Sequence, residues 1–150
     1  MVRFSSGWLT VCSVVIAGCG GDSPSNREEQ AAVKTNTLEG PFASYPGEDE
    51  AGDSALLKGV LIESEGCLYV QSTDSVDDTI TTHLPVFPGT TTWDEQTKTL
   101  TVRGISVAVG QPINLGGGEI KSPRSMASSF TAPTTCNLDI LGWSVYRITP

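Results

Sequence analysis

The sequence predicts an all-β domain, a small antiparallel barrel of OB type with about five to seven short strands and one disulfide. Runs of alternating apolar and polar residues, separated by turn residues, recur from Ser54 to Pro150. Charged residues make up 17% of the 150-residue chain, and its 16 glycines and 9 prolines favour strands and turns over long helices. Because no crossover helix separates the runs, neighbouring strands are expected to pair antiparallel, in a barrel or a sandwich.

The first two predicted strands form a hairpin. Residues 56–63 are apolar on both faces apart from a lysine and Gly59, which would let the strand bend or lie under a close neighbour. Residues 64–66 are typical of a tight turn and lead into a second strand, residues 67–72. The alternation in that strand places Tyr69 on the outside.

Residues 79–87 predict the third strand. Its apolar residues share one face, which we expect to be the core face: Ile80, Leu84 and Val86. The opposite face carries threonines and His83, so the imidazole is expected to point away from the core. Two prolines, Pro85 and Pro88, place this strand at a sheet edge or end it early.

The second half of the domain continues with short strands. Trp93 and Leu100 flank a polar turn and predict a hairpin with an inward apolar face. Further strands follow, and the last of them before the loop ends at the glycines of residues 116–118. These glycines indicate a turn or bulge, because the Lys of a phosphate-binding loop is absent. After an irregular stretch at residues 122–135, residues 143–148 form the final strand, and both tryptophans of the domain are expected in the core.

The first 18 residues have the order of an export signal: a cation near the start, an apolar run, and then small residues. The run is too short for a membrane-spanning helix, which needs about 20 apolar residues. The last three residues of this segment are Ile16, Ala17 and Gly18, and Cys19 follows them. This ending resembles the lipobox of bacterial lipoproteins, and the alternative is an ordinary secretory signal that ends near a cysteine.

The lipobox resemblance implies that the signal peptide is cut before Cys19, whose thiol and amine are then acylated. Several acyl chains, each contributing about 0.8 kcal/mol per buried CH2, would anchor the protein to a membrane. In Gram-negative lipoproteins an Asp after the acylated Cys marks retention in the inner membrane, and Gly20 stands at that place here. The resemblance therefore implies a lipid-anchored protein of the cell envelope, with the outer membrane favoured.

The four cysteines then divide simply. Cys12 leaves with the signal peptide and Cys19 is used by lipid, so Cys67 and Cys136 are expected to form a structural disulfide in an oxidising compartment. Closing a loop of about 69 residues is worth about 4 kcal/mol in the chain-entropy model. A metal pair or redox couple is disfavoured, because the chain has no CxxC motif and one histidine.

The chain is expected to have three regions. Residues 1–18 are the signal peptide, residues 19–53 are the acylated cysteine and a flexible linker, and residues 54–150 are the barrel. The linker is predicted because its residues are mostly polar or glycine and its few apolar residues follow no strand or helix period.

The barrel region resembles a loose class of small secreted bacterial domains. The matching features are a turn at Gly66, Cys67 and Leu68, a strand end with Pro85 and Pro88, and glycines 116–118 before a late Cys136. The resemblance supports the barrel and the disulfide and implies no activity.

Composition and motifs exclude several functions. A net charge of -8 repels nucleic-acid phosphates, so no nucleic-acid partner is expected. One histidine and two paired cysteines cannot supply a zinc site, and the chain has no GxSxG motif. We therefore predict no catalytic residue, metal or cofactor.

Carboxylates in the predicted loops leave one alternative, a small periplasmic hydrolase that uses them for acid and base catalysis. A solvated acidic surface is the simpler interpretation of these residues. They are Asp74, Asp77, Asp78, Asp94 and Glu95. The first three could also bind calcium.

The long loop at residues 122–135 is the predicted contact surface. Most loops have about 4 to 6 residues, so this one is longer than a structural connection needs. Met126 and Phe130 lie in it among small polar residues, either folded back on the barrel or offered to a partner. We interpret the protein as a non-enzymatic module that binds a protein or envelope component, or has a structural envelope role. Phe130 and Met126 would contact the partner and Arg124 would donate a charged hydrogen bond at the rim.

Overall fold

The structure, a computed structural model, describes residues 40–47 and 55–150. In these ranges a 3-10 helix, Pro123–Met126, accompanies nine strands: β1 (Ala43–Tyr45), β2 (Ala55–Ser64), β3 (Cys67–Thr73), β4 (Ile80–Pro88), β5 (Thr92–Asp94), β6 (Thr99–Val102), β7 (Ile105–Ala108), β8 (Pro112–Ile120) and β9 (Leu141–Thr149). The prediction of an all-β domain is confirmed. The described strands outnumber the prediction partly because β1 is too short to show a repeating pattern.

Five strands close a ring of hydrogen bonds in the order β2-β3-β4-β9-β8 and back to β2. Four of the five pairings are antiparallel. The fifth is parallel and joins residues 83–86 of β4 to residues 141–144 of β9. This closed five-stranded ring confirms the OB-like barrel, with one parallel seam that the antiparallel prediction did not contain.

A second sheet of three strands, β5-β6-β7, is inserted between β4 and β8. Its buried residues join the barrel interior in one apolar cluster, which also includes Phe42, Phe87 and Trp143: Leu57, Leu61, Leu68, Val70, Leu100, Val102, Val107, Ile113, Leu115, Val145 and Ile148. The predicted hairpin is confirmed, since Trp93 pairs with Leu100. Trp143 is buried, as predicted, whereas Trp93 is partly buried and packs against this cluster.

Tight turns connect the hairpins as the sequence indicates. Glu65 and Gly66 both have positive φ, 53° and 75°, between β2 and β3. Arg103 and Gly104 repeat this conformation, at 50° and 80°, between β6 and β7. Two consecutive residues with positive φ form the turn whose twist matches that of the flanking strands, so the chain reverses without splaying them.

Gly59 in β2 is required by a close neighbour, as predicted. A methyl group at this position would lie 2.6 Å from Cγ1 of Val70 and still closer to the backbone carbonyl oxygen of Gln71. A backbone atom cannot turn aside as a flexible side chain can, so strands β2 and β3 would have to separate locally.

We therefore expect Gly59→Ala to lower the free energy of unfolding by about 1 to 3 kcal/mol, the usual cost of overpacking. Urea unfolding followed by tryptophan fluorescence measures this change. Lys58→Ala is the matched control, because Lys58 is exposed in the same strand and its loss should change stability by less than about 0.5 kcal/mol. Equal stability of the two variants would show that β2 tolerates a side chain at residue 59.

The three glycines at residues 116–118 lie inside β8 rather than after it. β8 continues to Ile120, and its register against β9 shifts between Gly116 and Gly117. The predicted bulge is confirmed, but the predicted strand end is wrong. Gly117 is needed because a side chain at this position would collide with the backbone of Ser144 on β9.

The predicted orientation of β4 is wrong. His83 is only 6% exposed and lies on the inner side with Phe87, whereas Leu84 and Val86 lie on the outer face. Both faces of β4 are buried here, so alternation alone could not identify the inner one. Nor is β4 an edge strand, since β9 pairs with it through residues 83–86. On the other side of β4, Pro85 is tolerated because pairing with β3 ends at His83 and pairing with β1 begins at Val86.

Part of the predicted linker belongs to the barrel. Strand β1 pairs in parallel with β4, and Phe42 and Ala43 are buried. The predicted start of the barrel at residue 54 is therefore corrected. The sequence did not reveal β1 because a three-residue strand shows no repeating pattern. The signal peptide, the acylation site at Cys19 and the rest of the linker lie outside the described residues.

Candidate functional site

The connection between β8 and β9, residues 121–140, covers the outer face of the barrel. We call it the β8–β9 segment. Phe130 and Cys136 of the segment join an outer apolar cluster with residues of β1, β3, β4 and β8: Ala43, Cys67, Tyr69, Leu84, Val86 and Ile120. Strands β3 and β4 are thus buried on both faces, by the barrel interior on one side and by the segment on the other.

Several bonds hold the β8–β9 segment on this face. The predicted disulfide is confirmed between Cys67, at the start of β3, and Cys136. The hydroxyl of Tyr69 accepts a hydrogen bond from the backbone N–H of Asn137 at 2.8 Å. The hydroxyl of Thr135 donates one to the carbonyl oxygen of Gly66 at 3.0 Å. Tyr69 points outward from the barrel wall, as predicted, but its ring is buried because the β8–β9 segment covers it.

A further tie reaches strand β1. The backbone groups of Ser44 and Thr131 exchange two hydrogen bonds, at 2.8 and 2.7 Å. The segment is thereby attached at its middle as well as near its disulfide.

The three residues predicted to contact a partner have different environments. Phe130 is 9% exposed and packs in the outer cluster, so its ring is folded back on the barrel. Met126 is 45% exposed at the end of the short 3-10 helix. Arg124 is exposed and its guanidinium donates two hydrogen bonds to the carboxylate of Asp139, also in the segment. Asp139 raises the pKa of Arg124, and Arg124 lowers the pKa of Asp139, chiefly through this hydrogen bonding.

Three surface depressions surround the β8–β9 segment. One of about 410 Å³ is lined by Arg124, Phe130 and Leu138, among others. A second, of about 310 Å³, lies on the other side of Arg124. A third, of about 270 Å³, lies between Tyr45 and the segment, and both Met126 and Phe130 line it. The residues singled out in the sequence therefore lie on one continuous, indented face.

The loop carboxylates on which the hydrolase alternative depends take part in local turns. Asp74 accepts a hydrogen bond from a backbone N–H two residues later at 2.7 Å, and Asp77 accepts a similar one at 3.0 Å. Asp94 accepts two, at 2.9 and 3.1 Å. Such bonds fix the turn conformation and give these residues a structural role.

The hydrogen bonds to Asp77 and Asp94 also favour the ionised carboxylates. Hydrogen bonding by Thr79 lowers the pKa of Asp77, and hydrogen bonding by Thr97 lowers the pKa of Asp94. The pKa of Glu95 is lowered mainly by the ammonium group of the lysine three residues on. A general acid at neutral pH requires a raised pKa, so these groups do not favour acid catalysis.

One pair of side chains does resemble part of a catalytic arrangement. The hydroxyl of Ser72 lies 3.1 Å from Nε2 of His83. A serine activated by histidine also requires a third group that orients the imidazole, and Nδ1 of His83 has no hydrogen-bond partner among the described residues. The imidazole is buried in the barrel, so this pair does not form an accessible site.

No protein-family model matches the chain, and no match is found among curated proteins or solved structures. In residues 40–47 and 55–150, no cluster of three or more His, Cys, Asp or Glu side chains is arranged to bind a metal ion. The calcium interpretation of Asp74, Asp77 and Asp78 therefore has no support from the geometry. No helix in those ranges has the length and apolar character needed to cross a membrane.

The sequence missed the residues that attach the segment. Tyr69 and Asn137 are 68 positions apart, and Ser44 lies in the predicted linker. One signal was present: residues 67–70 are apolar on both faces, which is typical of a strand covered on both sides.

Proposed function

We propose that the protein is a lipid-anchored lipoprotein of the bacterial cell envelope and that its barrel is a non-enzymatic binding module. The β8–β9 segment is the contact surface, and the partner is a protein or another envelope component. The observation that supports this most is the clustering of Arg124, Met126 and Phe130 around three depressions of one exposed face. Indented faces with exposed apolar side chains are typical of interaction sites.

The roles of the three residues differ in this proposal. Met126 is the exposed apolar contact, since nearly half of its side chain is open to solvent. Phe130 shapes the face from beneath by separating the depressions that it lines. Arg124 and Asp139 form an exposed ion pair at the rim, where charged groups contribute more to orientation than to affinity.

The anchoring half of the proposal is supported by the sequence. The ending Ile16, Ala17, Gly18, Cys19 resembles a lipobox, and the polar residues that follow it are typical of a lipoprotein linker. The confirmed disulfide fits an exported protein, because disulfides persist in oxidising compartments.

Met126→Ser should remove partner contact and leave the fold intact. We expect crosslinked partners in native membranes to decrease by about tenfold, the result of losing about 1.4 kcal/mol of contact energy. The melting temperature should stay nearly constant because Met126 contributes little to the core. Val76→Ser is the matched control: Val76 is 92% exposed on the β3–β4 loop, and its replacement should leave both quantities unchanged.

Phe130→Ala, unlike Met126→Ser, should destabilise the fold. Its ring is buried, so the melting temperature should fall, as for other large-to-small core changes. If Met126→Ser and Val76→Ser leave the same crosslinked partners at the same yield, the β8–β9 segment is not the contact surface.

A further inference from the structure

The seam that closes the barrel contains the one histidine of the chain. The parallel pairing of β4 with β9 comprises four residue pairs, from His83 with Leu141 to Val86 with Ser144. Among the described residues of the ring, His83 is the only buried side chain whose ordinary pKa lies near neutral pH. The seam is short, and its first pair carries the imidazole.

The imidazole is packed so that its neutral form fits. His83 is 6% exposed, and its ring meets the indole of Trp143 edge to face, with ring centroids 6.3 Å apart. Its Nε2 lies beside the Ser72 hydroxyl. Its Nδ1 and the Nε1 of Trp143 are both buried without a hydrogen-bond partner among the described residues. A proton added at Nδ1 would therefore create a charge with no acceptor in its present position.

Few charged groups face this imidazole. β3 carries no charged residue along its length, and on β9 Arg147 lies near the far end beside Gly116. On β8, Glu119 pairs with Trp143 and is the carboxylate whose charge acts on His83. Burial lowers the pKa of His83, and the charge of Glu119 opposes this effect to a smaller extent.

We propose that protonation of His83 opens the β4–β9 seam and loosens the β8–β9 segment. The imidazolium can gain a partner by turning toward Glu119 or water at the exposed end of β8, and either movement separates residue 83 from Leu141. Leu141 begins β9 directly after the segment, and Ile120 ends β8 directly before it. Opening of this pair therefore releases one attachment of the candidate contact surface at acidic pH.

The sign of the pH dependence follows from proton binding. The open state, with His83 hydrated, binds a proton near the ordinary pKa of about 6.5. The closed state binds it at a lower pH. The open state therefore becomes more populated as the pH falls below about 6.5, by at most tenfold for each pH unit until the pKa of the closed state is reached.

Amide hydrogen exchange of the full-length chain, corrected for the intrinsic effect of pH, tests the proposal. Amide protection of residues 83, 84, 86 and 141–144 should fall between pH 7.5 and pH 5 relative to the β2–β3 hairpin, by up to about tenfold per pH unit. In His83→Gln, which cannot take up a proton, the protection ratio should not change with pH. In Glu119→Gln the decrease should begin at the same pH but continue to a lower pH, because the closed state loses the charge that opposes the effect of burial on the pKa of His83.

A second measurement on the native chain does not depend on a folded variant. The single histidine can be titrated by NMR together with the indole N–H of Trp143, and both signals should change with one midpoint below about 6.5. A midpoint at or above that value overturns the proposal. The proposal is also overturned if amide protection of the β4–β9 seam changes in parallel with that of the β2–β3 hairpin at every pH.

Discussion

Replacement of Cys67 by serine should lower the free energy of unfolding by about 2 to 5 kcal/mol, the usual cost of losing a native disulfide from a small exported domain. The bond closes a loop with a sequence separation of 69, so its loss gives the unfolded chain much more freedom. Both sulfur positions are buried in the outer cluster, and a lone thiol at Cys136 would remain there. Urea unfolding of the oxidised native chain and the variant measures the difference.

The position of the disulfide predicts where the effect appears first. Cys136 ties the β8–β9 segment to the start of β3, while the barrel ring is closed by backbone hydrogen bonds. Limited proteolysis of Cys67→Ser should therefore cleave within residues 121–140 before it cleaves the strands.

Two controls separate the disulfide from other effects of the substitution. Cys67→Ser with Cys136→Ser should be as destabilised as the single variant, because both lack the bond. Cys12→Ser should leave stability unchanged. The proposal of a stabilising disulfide fails if reduction of the native chain alters neither its unfolding midpoint nor the cleavage rate of the segment.

Local signals predicted the hairpins and the barrel well. The turn at Glu65 and Gly66 depends on residues that are adjacent in sequence. The close approach of β3 to Gly59 depends on the absence of a side chain, which the sequence shows directly. The closed barrel was also predicted, because short alternating strands without crossover helices leave few ways to bury one face.

The errors have a common physical cause, the second apolar layer outside the barrel. Leu84 and Val86 were assigned to the core face because they alternate with polar residues, yet they are buried by the β8–β9 segment. His83 was then assigned to the outside, although it faces Trp143 in the interior. A two-residue period cannot distinguish two faces that are both covered.

The candidate site was only partly predictable. The unusual length of residues 122–135 identified the segment, and the cysteine count identified the disulfide that attaches it. The difference between a buried Phe130 and an exposed Met126 depends on contacts with β1 and β4, far away in sequence. Such long-range packing leaves no local pattern.

Replacement of Cys19 by alanine should abolish membrane attachment. In the proposed lipoprotein this thiol and the amine of the same residue carry all of the acyl chains. Each buried CH2 contributes about 0.8 kcal/mol, so one 16-carbon chain already contributes about 11 kcal/mol before the costs of anchoring, and several chains make release negligible. Without the thiol, acylation and the cut before residue 19 should both fail.

Metabolic labelling with a clickable fatty acid, followed by membrane fractionation, measures this effect directly. The native chain should carry the label and sediment with membranes, whereas Cys19→Ala should carry none. Cys12→Ala is the matched control, because Cys12 lies in the predicted signal peptide and should not be acylated. Label that persists on Cys19→Ala would contradict the lipoprotein proposal. The β8–β9 segment and the β4–β9 seam are tested separately on the folded chain, so a negative result for acylation would leave those tests valid. It would change only the compartment in which the partner is sought.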